Sequence, residues 1–462
     1  MGHDKSSIAL FLSLEYLKGR FKVISTFSAK VETECEGKTK IQLFRMVNER
    51  SDSMKLGKVS ALSEGYFLVL CIMGAFAILS STMSKSPVLN PFARSLGTPS
   101  DLLGLVAAAS TIPGMLISLP AASLSDLVGR RKVLLFAVFV FASAPFLYLF
   151  VGTWWQLALV RFYHGFATAV FIPVTEATVA ELYPTKRGER ISILNSVTGV
   201  GRMTAPAIGG AILALTSNGF STLYLAVGVA GVTAFILAFL LLGEKQRKPT
   251  TNEGVRIVTV KMFQGWREVV RSRGVLSVSF VQASQYYVYG AVEFFIVGYI
   301  IDVAKLDALY SGIFLTLQVA TLIVARPLLG RLSDKRGRIL PILVGSLVSC
   351  LLLFGVPFTV QFPLLLLLAV GYGLGFAMVI SSTSPLVSEL APTGLLGSSL
   401  GFLSTTMDVG QTLGPIVSGI ILATAFGYTG LFASLSLLLL ASATVFALSM
   451  KAWRQPLKQQ PL

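Results

Sequence analysis

Apolar residues in this chain do not alternate with polar ones. They run in long unbroken stretches separated by short polar breaks. Twelve such stretches stand out, at roughly 66–88, 102–122, 132–152, 154–178, 190–214, 221–243, 275–301, 308–330, 339–357, 363–386, 396–424 and 429–450. Each is long enough to cross about 30 Å of hydrocarbon as a helix. Only helices serve here, because lipid offers no water to satisfy backbone N–H and C=O groups. A transmembrane barrel needs alternating apolar and polar positions, which these segments lack. The pattern predicts an all-α polytopic membrane protein with twelve transmembrane helices, here called spans 1 to 12.

Composition narrows the picture further. Hydrophobic residues make up 54% of 462 positions and charged residues only 13%. A soluble domain carries about 25% charged residues, so a water-exposed globule, a disordered chain and a disulfide scaffold are all excluded. Three scattered cysteines and two histidines give no zinc or disulfide spacing, so neither a metal nor a cofactor is expected. The net charge of +16 suggests nucleic acid until its placement is read. Twenty-one Lys and Arg fall in or beside the loops after spans 2, 4, 6 and 8 and in the C-terminal tail. The opposite loops hold two, Arg94 and Lys305. The positive-inside rule turns that asymmetry into topology, with both termini cytoplasmic and no nucleic-acid partner.

The domain plan follows. Residues 1–62 form a polar N-terminal extension without a signal-peptide pattern, and Met54 offers a second start leading directly into span 1. The opening MGHDKS fits the loose myristoylation pattern at Gly2, a pattern short enough to arise by chance. Residues 63–243 and 275–450 hold six spans each. The linker at 244–274 contains an amphipathic stretch, 255–273, expected to lie on the membrane surface. Residues 451–462 are a tail. Trp154, Trp155, Trp266 and Trp453 sit where headgroup belts are expected.

The two halves repeat. SLSDLVGRRKVL around Asp126 matches RLSDKRGRILPI around Asp334, an offset of 208. The same offset links Gly165 to Gly373 and VAELYPT (179–185) to VSELAPT (387–393). At 209 it links Gly201, Ala205 and Pro206 to Gly410, Gly414 and Pro415. Six spans recurring as six preserve orientation, so the halves are parallel repeats related by an axis along the membrane normal. Two such bundles enclose a central cavity that rocking can open to either side.

At these residues the chain resembles the major facilitator superfamily. Its loop signature, G-x-L-x-D-R-x-G-R-R/K, is similar to Gly330, Leu332, Asp334, Gly337 and Arg338. The first copy has Ala122 in place of Gly, with Leu124, Asp126, Gly129, Arg130 and Arg131 intact. The resemblance implies a gating latch between the halves. Arg161, His164 and Gly165 of span 4 resemble the family's R-x-x-x-G element and share one helix face with Thr168. Span 5 carries Gly201, Ala205, Pro206, Gly209 and Gly210. These resemble the G-x-x-x-G-P-x-x-G-G element associated with proton-driven antiporters, with Ala205 in a glycine position. Small residues there let helices approach closely, and Pro206 marks a hinge.

Charges buried at membrane depth are functional candidates by default. Glu293 of span 7 and Asp408 of span 11 are the expected proton carriers, with Arg161 and Arg202 as counter-charges. Burial favours the protonated carboxyl and a neighbouring cation the ionised one, so alternation between those settings loads and releases a proton. Lys85 is expected near the far headgroups and Glu176 near the cytoplasmic interface. Tyr286, Tyr289, Tyr372 and Phe376 offer an aromatic pocket for an amphipathic substrate. No P-loop, HExxH or GxSxG motif supports ATP-driven pumping or enzymatic chemistry. The expected function is secondary transport by alternating access in the plasma membrane, by a monomer, exchanging protons for small amphipathic molecules. A uniporter or symporter for a sugar or organic anion is the alternative, favoured by the cationic cavity.

Overall fold

A computed structural model of the chain describes residues 64–117, 125, 129–241, 265 and 267–458, with Leu241 and 452–458 as backbone only. The architecture lies in one compact unit, Phe67–Leu462. Among the described residues every element is helical. Span 1 is Glu64–Met83. Span 2 is Ser100–Ala108, resuming at 112–117. Spans 3 to 6 are Arg130–Tyr148, Trp154–Leu182, Arg187–Leu215 and Phe220–Leu241. Spans 7 to 9 are Arg273–Asp302, Ala308–Arg336 and Ile339–Gly355. Spans 10 to 12 are Phe362–Leu390, Leu396–Leu422 and Gly427–Lys458. A short helix, Leu89–Ser95, follows span 1.

Eight of these helices, spans 1, 3, 4, 6, 8, 9, 10 and 12, are long and apolar enough to cross a membrane. Spans 5, 7 and 11 are too polar for that measure, and the reason is their position. Span 5 packs along span 8, and span 2 along span 11, joining the two bundles. Span 7 packs against spans 10, 11 and 12 inside its own bundle. Its polar groups are turned inward: Gln285 Nε2 donates to Ser346 Oγ at 3.2 Å, and Gln282 bonds Thr383. Polar side chains that face protein or a cavity need not be apolar to sit at membrane depth.

The sequence repeat reappears as matched geometry. Gly165 of span 4 lies against the carbonyl of Ser110, and Gly373 of span 10 against that of Gln318. Gly201 lies against Ala75 of span 1, and Gly410 against Ala283 of span 7. Each contact is the image of the other, displaced by the repeat. The twelve spans form two pseudo-symmetric six-helix bundles.

The loops bearing Arg130 and Arg338 mark the basic end of the molecule, and the loops after spans 1, 7 and 11 its far end. One large apolar core at the far end draws on both bundles, with Met83, Leu89 and Phe92 against Phe294, Val297 and Tyr299. A second core, at the basic end, is built from the second bundle and includes Val269. The rest of the expected surface helix, including Trp266, lies outside the described residues, apart from 265 and 267–273, and so does the Trp453 side chain. The bundles are therefore welded at one end around a space that lies deeper in the molecule.

Candidate functional site

That space is a cavity of about 470 Å³ between the bundles. Arg161, Arg202, Glu293 and Asp408, the four charged candidates, all line it. So do Tyr286, Tyr289 and Phe376. Phe376 stacks on Tyr289 at 4.9 Å and meets Tyr286 edge-on at 5.3 Å. Tyr372 is different: it is buried and stacks behind Phe376 at 6.2 Å, backing the aromatic wall. Span 4, which supplies more of the first bundle's lining than any other span, is fixed at its start by Gln156. The Oε1 of that side chain accepts from the N–H of Gly152 at 2.8 Å and of Thr153 at 3.2 Å. Backbone donors at a helix start need such partners.

Two placements correct the sequence reading. Lys85 does not reach out to the headgroups. Span 1 ends at Met83, the chain turns through 84–88, and the ammonium points back into the cavity. Its Nζ lies 2.5 Å from Glu293 Oε2, and Ser86 Oγ donates to Glu293 Oε1 at 3.2 Å. The Glu293 side chain is only 10% exposed and that of Lys85 24%. Lys85, rather than Arg161 or Arg202, is thus the counter-charge of Glu293, and the pair joins one bundle to the other. Glu176 also lines the cavity and accepts from Asn195 Nδ2 at 2.9 Å, so it is part of the site's basic-end mouth. Asp408, Arg202 and Arg326 share the surroundings of Tyr286. Arg161 is 2% exposed and gives one of its N–H groups to Ser110 Oγ.

At the far end the bundles meet in two ways. Arg94 Nη1 pairs with Asp302 Oδ2 at 2.8 Å, and Tyr428 bonds both. Asn90 accepts from Arg94 Nε at 2.9 Å and donates to the Phe294 carbonyl at 3.1 Å. Beside this network are two glycine seams. Gly104 of span 2 meets the backbone of Pro415 in span 11, and Gly312 of span 8 meets Pro206 and Gly210 of span 5. The ion pair is about one-third exposed on each side, and such pairs contribute about 0–1 kcal/mol. Arg94→Gln is therefore expected to shift far-end opening only a fewfold, read as the labelling rate of a cysteine placed in the cavity.

The description of the Major Facilitator Superfamily matches residues 66–410 and 315–461, nearly all of the described chain. The chain belongs to the major facilitator superfamily. An uncharacterized MFS-type transporter of Methanocaldococcus jannaschii is 22% identical over 341 residues, covering 72% of this chain and 85% of that one. The quinolone resistance protein NorA of Staphylococcus aureus is 24% identical over 166 residues, 36% of this chain and 42% of NorA. Among solved structures, a bacterial homologue of the human lysosomal transporter Spinster, in an inward-facing unoccupied state, superposes with a TM-score of 0.66. It is 16% identical and covers 84% of this chain and 95% of that one, a likeness of fold.

The superfamily's loop signature can now be read in space. Gly129 and Gly337 both adopt positive φ, 97° and 83°, which glycine tolerates without strain. Arg130 pairs with Glu181 at 2.9 Å, and Arg338 with Glu389 at 3.1 Å and with Asp334. The first two pairs are repeat images, tying each loop to the basic end of span 4 or span 10. Arg131 is the second residue of span 3, beside them. Asp126 lies outside the described residues. In the span 5 element, Gly201 abuts span 1, Gly209 abuts Pro87, and Gly210 faces Ala308 and Gly312 of span 8. Ala205 and Pro206 are buried between them. Of this element, Pro206 and Gly210 sit in the seam between bundles. The missed pairings had a signal: Lys85 and Glu293, like Arg94 and Asp302, are separated by the repeat offset of 208.

Proposed function

We propose that this chain is a proton-coupled exporter that exchanges protons for small amphipathic molecules across the plasma membrane, by alternating access and as a monomer. The observation that carries the reading is the Lys85–Glu293 pair, an ion pair at membrane depth that ties one bundle to the other across the cavity. Protonation of Glu293 neutralises the carboxylate and releases Lys85, so proton binding and the tie between bundles exclude each other. That exclusion is what an antiporter needs. With the far end open, Glu293 takes up a proton as substrate leaves. With the far end closed, the proton departs toward the basic end and the pair re-forms. Asp408, which lines the same cavity as Arg202, is the second candidate proton carrier. The basic end is the cytoplasmic one by the distribution of Lys and Arg, so both termini are cytoplasmic and export runs from that side. The bundles 63–243 and 275–450 are the rocking bodies, with 244–274 as the tether and the Asp126 and Asp334 loops as latches.

The wall of Tyr286, Tyr289 and Phe376, with Ile78, Ile172 and Met407, suits a flat apolar body. The likeness to a quinolone resistance protein and to an MFS antiporter of Candida albicans points the same way, although each match spans 42% of that relative. Buried Arg161 favours a second reading, transport of an organic anion. Proteoliposomes with an imposed pH gradient test the proposal. Substrate leaving against proton entry, with accumulation collapsing when the gradient is dissipated, is the expected result. Substrate and proton moving in the same direction would overturn antiport.

A further inference from the structure

One corner of the cavity holds donors without acceptors. Arg161 carries five N–H donors and is almost fully buried, yet among the described residues no carboxylate lies within ion-pair distance of it. Its side-chain hydrogen bonds go to neutral hydroxyls, those of Ser110 and Tyr148, and its Nε donates to nothing. One turn along span 4, His164 is equally buried. The Tyr148 hydroxyl lies 3.3 Å from its Nδ1, while its Nε2 is without a partner. With the Tyr148 hydroxyl donating to Nδ1, Nε2 carries the ring proton and is a second idle donor. Two of the cavity's acids are engaged elsewhere. Glu293 is held by Lys85 and Ser86, and Glu176 by Asn195. Asp408 stands with Arg202 and Arg326 around Tyr286.

A buried cation left without a counter-ion is costly, and a protein keeps one where something else supplies the charge. A carboxylate is the best-matched group, because the guanidinium fork presents parallel donors to its two oxygens. On the second bundle, the cavity offers the aromatic wall of Tyr286, Tyr289 and Phe376. We infer that this cavity binds organic monoanions, with a carboxylate or sulfonate head at Arg161 and His164 and an aromatic body against Tyr286, Tyr289 and Phe376. The inference rests on the transport reading of the same cavity and names the class of molecule it takes.

The test uses the full chain in lipid nanodiscs, with binding to empty discs subtracted, and two fluorescent probes of the same shape. Dansylglycine ends in a carboxylate, and dansylglycinamide replaces it with a neutral amide. The expected result is at least about tenfold tighter binding of the acid, within the range of a charge-assisted pair. Arg161→Gln removes the preference, so that the acid binds no more tightly than the amide. Arg161→Lys keeps part of it, since a point charge remains but the fork is lost. Wild-type protein needs no variant to serve as a control for folding: dansylglycine raises its thermal unfolding temperature, and the amide raises it less.

Equal affinity for the two probes in the wild-type protein would overturn the inference, as would an Arg161→Gln protein that stays folded and still prefers the acid. The exporter reading fails separately. If the acid binds through Arg161 but no pH gradient drives its movement, coupling is wrong and the subsite stands. If a pH gradient drives export of a neutral or cationic compound while the two probes bind alike, the subsite is wrong and the coupling stands.

Discussion

Glu293→Gln is expected to reduce gradient-driven transport to the level of protein-free liposomes while substrate binding survives. Glutamine keeps the length and planarity of the side chain and can still accept from Ser86 Oγ, which now bonds Glu293 Oε1 at 3.2 Å. It cannot be ionised, so the proton site and the pairing with Lys85 vanish together. The variant is fixed in the state that protonation produces in the wild-type protein. Exchange down a substrate gradient is then expected to continue, because a permanently neutral side chain still permits rocking. Removing one member of a fully buried pair costs about 3–5 kcal/mol. Lys85 is 24% exposed and borders the cavity, so water can solvate the released ammonium and the penalty is smaller. Melting temperature, counterflow and pH-driven uptake, measured side by side, separate loss of coupling from loss of fold. Undiminished uphill transport would remove Glu293 as the carrier and leave Asp408 to be tested alone.

Much of this arrangement is legible along the chain, and the reasons are physical. Twelve apolar stretches specify helices because lipid forbids unsatisfied backbone. The repeat specifies parallel bundles because an even number of crossings returns the chain to its starting side. Arg161, Arg202, Glu293 and Asp408 stand out because charge is expensive at that depth, and all four line the cavity. What failed was depth measured along a straight helix. Lys85 stands near the outer end of the stretch 66–88, which on a straight helix predicts the headgroups, but the chain turns at 84–88 and brings it back inward. The same ruler predicts Glu176 near the cytoplasmic interface and ignores a cavity mouth. The repeat could have supplied the missing partner. In parallel halves, matched residues on the inner faces of spans 1 and 7 face each other across the pseudo-twofold axis. Opposite charges 208 residues apart are therefore candidates for a pair, as Lys85–Glu293 and Arg94–Asp302 are.

The seams give the second large effect. Gly104→Ala and Gly312→Ala are expected to open the far end. A Cβ on Gly104 would overlap the Pro415 carbonyl, and one on Gly312 the Pro206 carbonyl. Both obstacles are backbone, so no side chain can swing aside. Relief comes from separating the bundles, which is the motion of alternating access itself. Overpacking costs about 1–3 kcal/mol, and a bias of that size moves a two-state equilibrium roughly 5- to 150-fold. That exceeds what the partly exposed Arg94–Asp302 pair contributes, so the seams rather than the ion pair govern closure. Spin labels at Phe150 and Phe358, exposed positions on opposite bundles related by the repeat, report the far-end distance. The expected outcome is a longer-distance population that grows in both variants. Gly231→Ala and Gly414→Ala supply the contrast. Their contacts, with Phe141 and with Tyr287, lie within single bundles and persist in either state. These two variants are expected to lower the melting temperature without changing the label distance. An unchanged distance in the seam variants, with lowered melting alone, would show that the glycines serve packing rather than gating.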